Sequence, residues 1–441
     1  MGRDVDIDEV LTKLRERCGI ALRGGPRPTL ETVLEESARR GVLYGTADTL
    51  FEKWRLYMRY VGEAVPRALS LPDDVATQFR QFVDGMFPLL DKAEKQAREE
   101  LAGICRAVGE GRVEIERGKT ASRICADDAC VKIHANEHSS LVALLTLHGI
   151  STETYFPDML RVPREELEAF QIGWRASDET ADKRRPMMAT TQPWQLLAWS
   201  ATRPGRMRVH VINLGINASG LSLEVYAVGR EWEQRWTKEE AQRLAIEAIQ
   251  RGNFKPLLTW FLGDGVARWG NLRLYLAGAI LGGFRRDVVK RGSYTTREIS
   301  SAVARALLEN AGIYGRLLEA LRSHKWEYLR TLANYKLLFN PTYITIRGVE
   351  MRLHLSARTL YAERRFANEE EAKRIAERLA PHAGIYKDRN RYVVYIPWSG
   401  LKELIQKDPA LGRAVAEYLG KVVENKPIAK KLLAQISPLL N

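Results

Sequence analysis

Asp264 is the residue in this chain whose surroundings most strongly suggest chemistry. It lies in Leu257–Gly265, which reads Leu-Leu-Thr-Trp-Phe-Leu-Gly-Asp-Gly. Pro256 precedes the run, where the first turn of a helix tolerates proline. Gly265 stands where a helix takes a left-handed stop residue. The spacing predicts a short apolar helix ending in a carboxylate. An acid there meets the negative end of the helix dipole, and a metal ion would offset that repulsion. A second cluster is Cys125, Cys130, His134 and His138. Its loop is too short for a finger-type zinc site. Alternation on either side of Asp127-Asp128 predicts instead a hairpin with a cross-strand thiol pair.

The elements that must position these groups belong to a chain of 441 residues, long enough for two or three domains. Net charge is +13 with pI ≈ 9.5, which favours an acidic partner such as nucleic acid. The start is polar and acidic rather than a secretory signal, and the longest apolar run, 274–284, is too short to span a bilayer. The expectation is a cytoplasmic protein with no membrane partner. Asn and Gln are scarce while Arg and Glu abound, a thermophile-like balance.

Residues 1–107 read as helices, with Phe79, Phe82, Met86, Leu89 and Leu90 on the apolar side of a long amphipathic run. Strands are expected at 113–117 and 122–135, a helix at 139–148, an extended piece at 154–162 and a helix at 164–173. Residues 174–191 read as a polar linker. A hairpin follows over 206–228, then a helix over 237–250 opened by a Thr237/Glu240 capping box. Beyond Asp264, residues 266–300 are rich in Lys and Arg, including Arg268 and Arg273. Helices are expected over 295–335. Strands at 342–355, 359–366 and 385–397 carry Arg347, Arg352, Arg358, Arg364, Arg389 and Arg391. A helix capped by Asn368 lies between them, and the tail from 399 reads as helical.

Ala135-Asn136-Glu137 and Ala367-Asn368-Glu369 stand at matching places in this order, which suggests a weak internal repeat. The repeat calls for a first apolar helix ending in an acid. Gly103–Gly111 reads Gly-Ile-Cys-Arg-Ala-Val-Gly-Glu-Gly, so Glu110, between Gly109 and Gly111, answers to Asp264 between Gly263 and Gly265.

In these two motifs the sequence resembles the LAGLIDADG homing endonucleases. The resemblance implies two helices paired through small residues, acids at their ends holding Mg²⁺, and antiparallel sheets lying on double-stranded DNA. On this reading the fold is α+β. A helical region spans 1–90 and a first repeat 91–185. A linker, hairpin and helix fill 186–250. A second repeat covers 251–441, with a helical insertion at about 295–340. Asp264 and Glu110 would be metal-binding and catalytic, and Lys387 would polarise water. Arg268, Arg273, Arg347, Arg352, Arg358, Arg364, Arg389 and Arg391 would contact DNA. The protein would act as a monomer. Arg106 inside the first motif, and Thr259-Trp260 in place of small residues in the second, depart from the family pattern. Leu276–Gly283 has the look of the motif but no acid. The alternatives are an inactive DNA-binding relative and a helical structural or partner-binding protein. Residues 1–90 and the helical insertion are similar also to multicopy crenarchaeal repeat proteins.

Overall fold

The structure is a computed structural model. It describes residues 7–117, 121–127, 129–135, 141–267, 269, 274–277, 287–291, 294–299, 302–338, 343–356, 359–423 and 427–439. The chain divides into two compact units, Met1–Ala333 and Asn334–Asn441. Each has its own apolar core. The mixture of helices and antiparallel sheets is α+β.

The first unit opens with α1 (Ile7–Ala21), α2 (Leu30–Arg40), α3 (Leu50–Leu69) and α4 (Asp73–Glu110). Their apolar stripes are buried: Phe79, Phe82, Met86, Leu89 and Leu90 of α4 all lie in the core. A disulfide ties Cys18 of α1 to Cys105 of α4. Five strands follow: β1 (Glu114–Arg117), β2 (Ser122–Ala126), β3 (Ala129–Ala135), β4 (Leu141–Thr146) and β5 (Ser151–Phe156). Cys125 and Cys130 face each other across the β2–β3 hairpin and form a disulfide, as the alternation around Asp127 leads one to expect.

The helix expected at 139–148 is strand β4. Leu141, Ala143 and Leu145 are buried and alternate with half-buried Val142, Leu144 and Thr146. A short apolar run does not separate the two periods by itself, and pairing with β3 decides for the strand. The match between 135–137 and 367–369 therefore does not mark a structural repeat. The second stretch opens a helix; the first leads through 136–140, outside the described residues, into a strand.

A repeat of a different kind is present. The chain from 164 runs α5 (Arg164–Ala176), β6 (Thr180–Asp182), β7 (Arg185–Thr190), α6 (Pro193–Ala201), β8 (Gly205–Asn217), β9 (Gly220–Gly229) and α7 (Lys238–Gln250). It continues α8 (Lys255–Asp264), β10 (Gly265–Val266), β11 (Leu274–Ala277), β12 (Asp287–Arg291), β13 (Tyr294–Ile299) and α9 (Ala302–Asn310). Residues 278–286, which include most of the acid-free 276–283 motif, lie outside the described residues. The strands take the same order twice, β6-β7-β9-β8 and β10-β11-β13-β12. The first set is extended through β8 by β5 and by β4 to β1. The polar stretch 174–191, expected as a linker, ends α5 and supplies β6 and β7; β7 pairs with β9. The stretch 295–335 begins in β13 before turning helical in α9, α10 (Gly312–Ala320) and α11 (His324–Leu338).

The second unit is a five-stranded antiparallel sheet, in the order β14 (Tyr343–Ile346), β15 (Val349–Leu355), β16 (Leu360–Phe366), β18 (Arg391–Ile396) and β17 (Gly384–Asp388). One face packs on α12 (Glu369–Leu379), α13 (Trp398–Lys407) and α14 (Pro409–Val422). Asn368 caps α12 through its side chain, as its position predicts. The tail ends in α15 (Pro427–Ile436).

Candidate active site at two paired helix ends

α8 is buried on every side from Pro256 to Gly263, which its near-uniform apolar sequence requires. It packs chiefly on α5. The contact is close because it uses small residues at both levels. A Cβ on Gly173 would strike the Pro256 carbonyl and the Thr259 hydroxyl, and a Cβ on Gly263 would strike Ser177. Thr259 does not hinder the approach. Its hydroxyl donates to the Phe170 carbonyl at 2.7 Å, so a buried polar group is satisfied across the helix pair. Trp260 points the other way and donates to Ala277 at 3.1 Å.

The pairing brings together the C-terminal ends of both helices, each followed by an acid. Asp178, just past α5, and Asp264, the last residue of α8, lie close enough for the Asp178 carboxyl to raise the pKa of Asp264. Asp178 is exposed, while the Asp264 side chain retains 18% exposure. Burial, then the neighbouring Asp178 charge, pushes the Asp264 carboxyl up to about 7. Gln195 of the buried helix α6 donates to Asp178 Oδ2 at 2.8 Å and is held by the Thr190 hydroxyl at 2.5 Å.

Two lysines attend the pair. Lys238, at the start of α7, lies 3.7 Å from Asp264 Oδ2. Lys325, the second residue of α11, is buried and donates from Nζ to the carbonyls of Leu262, at 2.8 Å, and Gly263. It supplies the cation that the carbonyl end of α8 attracts. Burial lowers its amine to about 8, against the opposing pull of Asp178 and Asp264. A cleft of about 580 Å³ opens beside these groups, lined among others by Arg39, Arg40, Tyr44, Trp269, His324 and Lys325. Half-buried His324 has a fully covered Nδ1 without a hydrogen-bond partner among the described residues. Burial, aided by Lys325, lowers its imidazole to about 3.

Glu110 is not part of this arrangement. α4 packs against α1, α3 and strands of the first sheet, while α8 packs against α5, α7, α9, β10 and β11. The Glu110 carboxylate is exposed and bound by Arg112. Arg106 points to solvent, so no buried charge arises there. Gly111 has the left-handed conformation expected of a helix stop, with φ +70°. Gly265 does not: its φ is −71°, and it is small because a Cβ would strike Phe261.

Lys387, Arg347, Arg352, Arg364, Arg389 and Arg391 all belong to the second unit and are exposed. Arg268, Arg273 and Arg358 lie outside the described residues, as does His138. Asp178 escaped the sequence reading because its helix was ended at Gly173. The available signal was the small residues Gly173, Ala176 and Ser177 leading to an acid, as Gly263 leads to Asp264.

The donor set at the helix ends suits a hard cation. It is all oxygen, from two carboxylates whose neighbours Gly265 and Lys325 line the cleft while the acids themselves do not, and Mg²⁺ is commonly held by one or two carboxylates with the rest of its shell from water and phosphate. Among the described residues there is no cluster of three or more His, Cys, Asp or Glu, and so no closed cage of the zinc kind. No helix among them is long and apolar enough to cross a membrane. No family model, curated protein or solved structure matches this chain.

Proposed function

We propose that this protein is a DNA endonuclease of the LAGLIDADG type, hydrolysing phosphodiester bonds of double-stranded DNA with Mg²⁺ held by Asp178 and Asp264. The observation that carries the reading is the carboxyl pair at the ends of two helices crossing through Gly173 and Gly263. The matching strand orders that follow α5 and α8 support it, because they give each acid-ended helix its own antiparallel sheet. In this reading Asp178 takes the role that the sequence assigned to Glu110.

Bound there, Mg²⁺ would stabilise charge on the phosphate and lower the pKa of a water. The chain's own residues do the rest. Gln195 fixes the orientation of Asp178 through its 2.8 Å hydrogen bond. Lys325 holds the last carbonyls of α8 and keeps positive charge beside the pair. Lys325 also replaces Lys387 as the lysine of the site. Arg39 and Arg40, along the cleft, provide charge for phosphates.

The test is nicking of supercoiled plasmid and cleavage of genomic DNA with Mg²⁺. Asp178→Asn and Asp264→Asn should each lower the rate by about a hundredfold or more, the scale for losing a group that stabilises developing charge. Glu110→Gln should cleave as the wild type does. Equal cleavage by all four proteins would reject the site.

A further inference from the structure

The sheet of the second unit has one face on its helices and one face bare among the described residues of that unit. On the covered side lie Ile344, Met351, Leu353, Ala362, Val394 and Ile396. The bare side carries the exposed Thr345 and Glu350 near one edge and Asp388 at the other, but its middle is built of rings and arginines. One row crosses all five strands in register: Tyr343, Arg352, Glu363, Tyr395 and Gly384. Gly384 lets the Tyr395 ring lie flat across the sheet, since a Cβ there would sit 2.8 Å from the ring. The rings of Tyr395 and Tyr386 pack 5.5 Å apart, and His354 and Tyr361 pack 4.7 Å apart on the same face. Tyr343 is 53% exposed and Tyr386 43%.

Two further features point to what this face receives. Arg352, Arg365 and Arg391 stand among the rings and are exposed, and Lys and Arg outnumber Asp and Glu over residues 334–441. At the centre, Glu363 is only 5% exposed. Its Oε1 accepts from Arg365 at 3.3 Å, but its buried Oε2 has no partner among the described residues. A covered carboxylate oxygen without a donor is costly. It gains a partner from a ligand that brings an N–H group.

We propose that this face binds single-stranded DNA. The tyrosines stack on unpaired bases, the arginines meet phosphates, and Glu363 Oε2 accepts from an exocyclic amine. Rings interleaved with cations are what a splayed strand requires, and a carboxylate acceptor placed at an exocyclic amine selects cytosine, adenine or guanine over thymine, which has none. A duplex keeps its bases stacked inside and cannot use the rings. The choice of DNA over RNA rests on the substrate proposed above; the stacking does not.

The experiment uses the full chain with EDTA present, so that cleavage plays no part, and reads fluorescence anisotropy of labelled ~12-nucleotide probes, within the site sizes such platforms cover. Oligo(dC) is expected to bind more tightly than oligo(dT), and a mixed single strand more tightly than its RNA counterpart. Tyr343→Ala with Tyr386→Ala should weaken binding about tenfold or more. Tyr343→Phe with Tyr386→Phe should bind as the wild type does, because the rings remain. Glu363→Gln should narrow the oligo(dC) preference while leaving oligo(dT) affinity alone. Because binding is read without Mg²⁺, a failure of the cleavage proposal leaves this result readable. Undiminished binding by the alanine pair, equal loss with the phenylalanine pair, or an equal loss of duplex binding by the alanine pair would overturn stacking. Tighter binding of RNA would overturn the choice of strand.

Discussion

The ends of α4 and α5 are both acids beside small residues, and they have opposite fates. Glu110 follows Gly109 at the end of a 38-residue helix, and Asp178 follows Ser177 just past a 13-residue one. At Gly103 and Gly109 a Cβ would meet nothing within 4 Å, so those glycines serve no close approach. At Gly173 it would meet the backbone of α8. Glu110 accordingly pairs with an arginine in solvent, while Asp178 lies beside a second carboxyl. A glycine–acid pattern is a helix end in one place and a site in the other. What separates them is whether the glycine is filled by a neighbour.

The sharpest way to break this contrast is at the glycines. Gly173→Val should destabilise the first unit by about 3 kcal/mol or more, since a backbone carbonyl cannot move aside as a side chain can. Gly109→Ala should stabilise by about 0.5–1 kcal/mol, the ordinary gain in a helix. Calorimetric melts of the two variants must move in opposite directions; equal shifts would remove the distinction.

Metal linkage comes next in size. Mg²⁺ at about 100 times its Kd should add about 2.7 kcal/mol to the stability of the wild type. Asp178→Asn and Asp264→Asn should lose that gain, and Glu110→Gln should keep it. If Glu110→Gln alone abolished the gain, the acid at the end of α4 would be the ligand after all.

A smaller effect is expected in acid. His324, packed against Trp194 and next to Lys325 in the chain, is lowered to about 3 by burial. Its unfolded value is higher, so its contribution is present above about 6.5 and is lost as pH falls towards 3. Between pH 7 and pH 5, His324→Gln should reduce the loss of stability by about 2 kcal/mol relative to wild type. The α4 end carries only the exposed Glu110, and Glu110→Gln should leave the acid response nearly unchanged. Melts at the two pH values decide this.

Much of the local structure was legible in the residues. The Thr237/Glu240 capping box, the Asn368 cap, the 206–228 hairpin and the apolar α8 all rest on side chains a few residues apart. The Cys125–Cys130 pair was legible for the same reason. The Cys18–Cys105 bridge was not, because its partners are 87 residues apart and no local spacing links them. The strand at 141–146 and the polar strands at 180–190 were misread where the neighbouring strand, not the residue's own preference, decides the conformation.

The sequence by itself determined that Asp264 ends a buried helix, because eight consecutive residues before it leave no polar face to turn outward. It also determined a basic chain built of helices and alternating strands. It did not determine the partner of Asp264. Glu110 and Asp178 offer the same chemistry at a helix end, and both follow small residues. Only the tertiary structure distinguishes them, because it decides which glycine meets another backbone. At Gly173 that contact lets α5 and α8 approach closely and sets two carboxyls side by side at their ends.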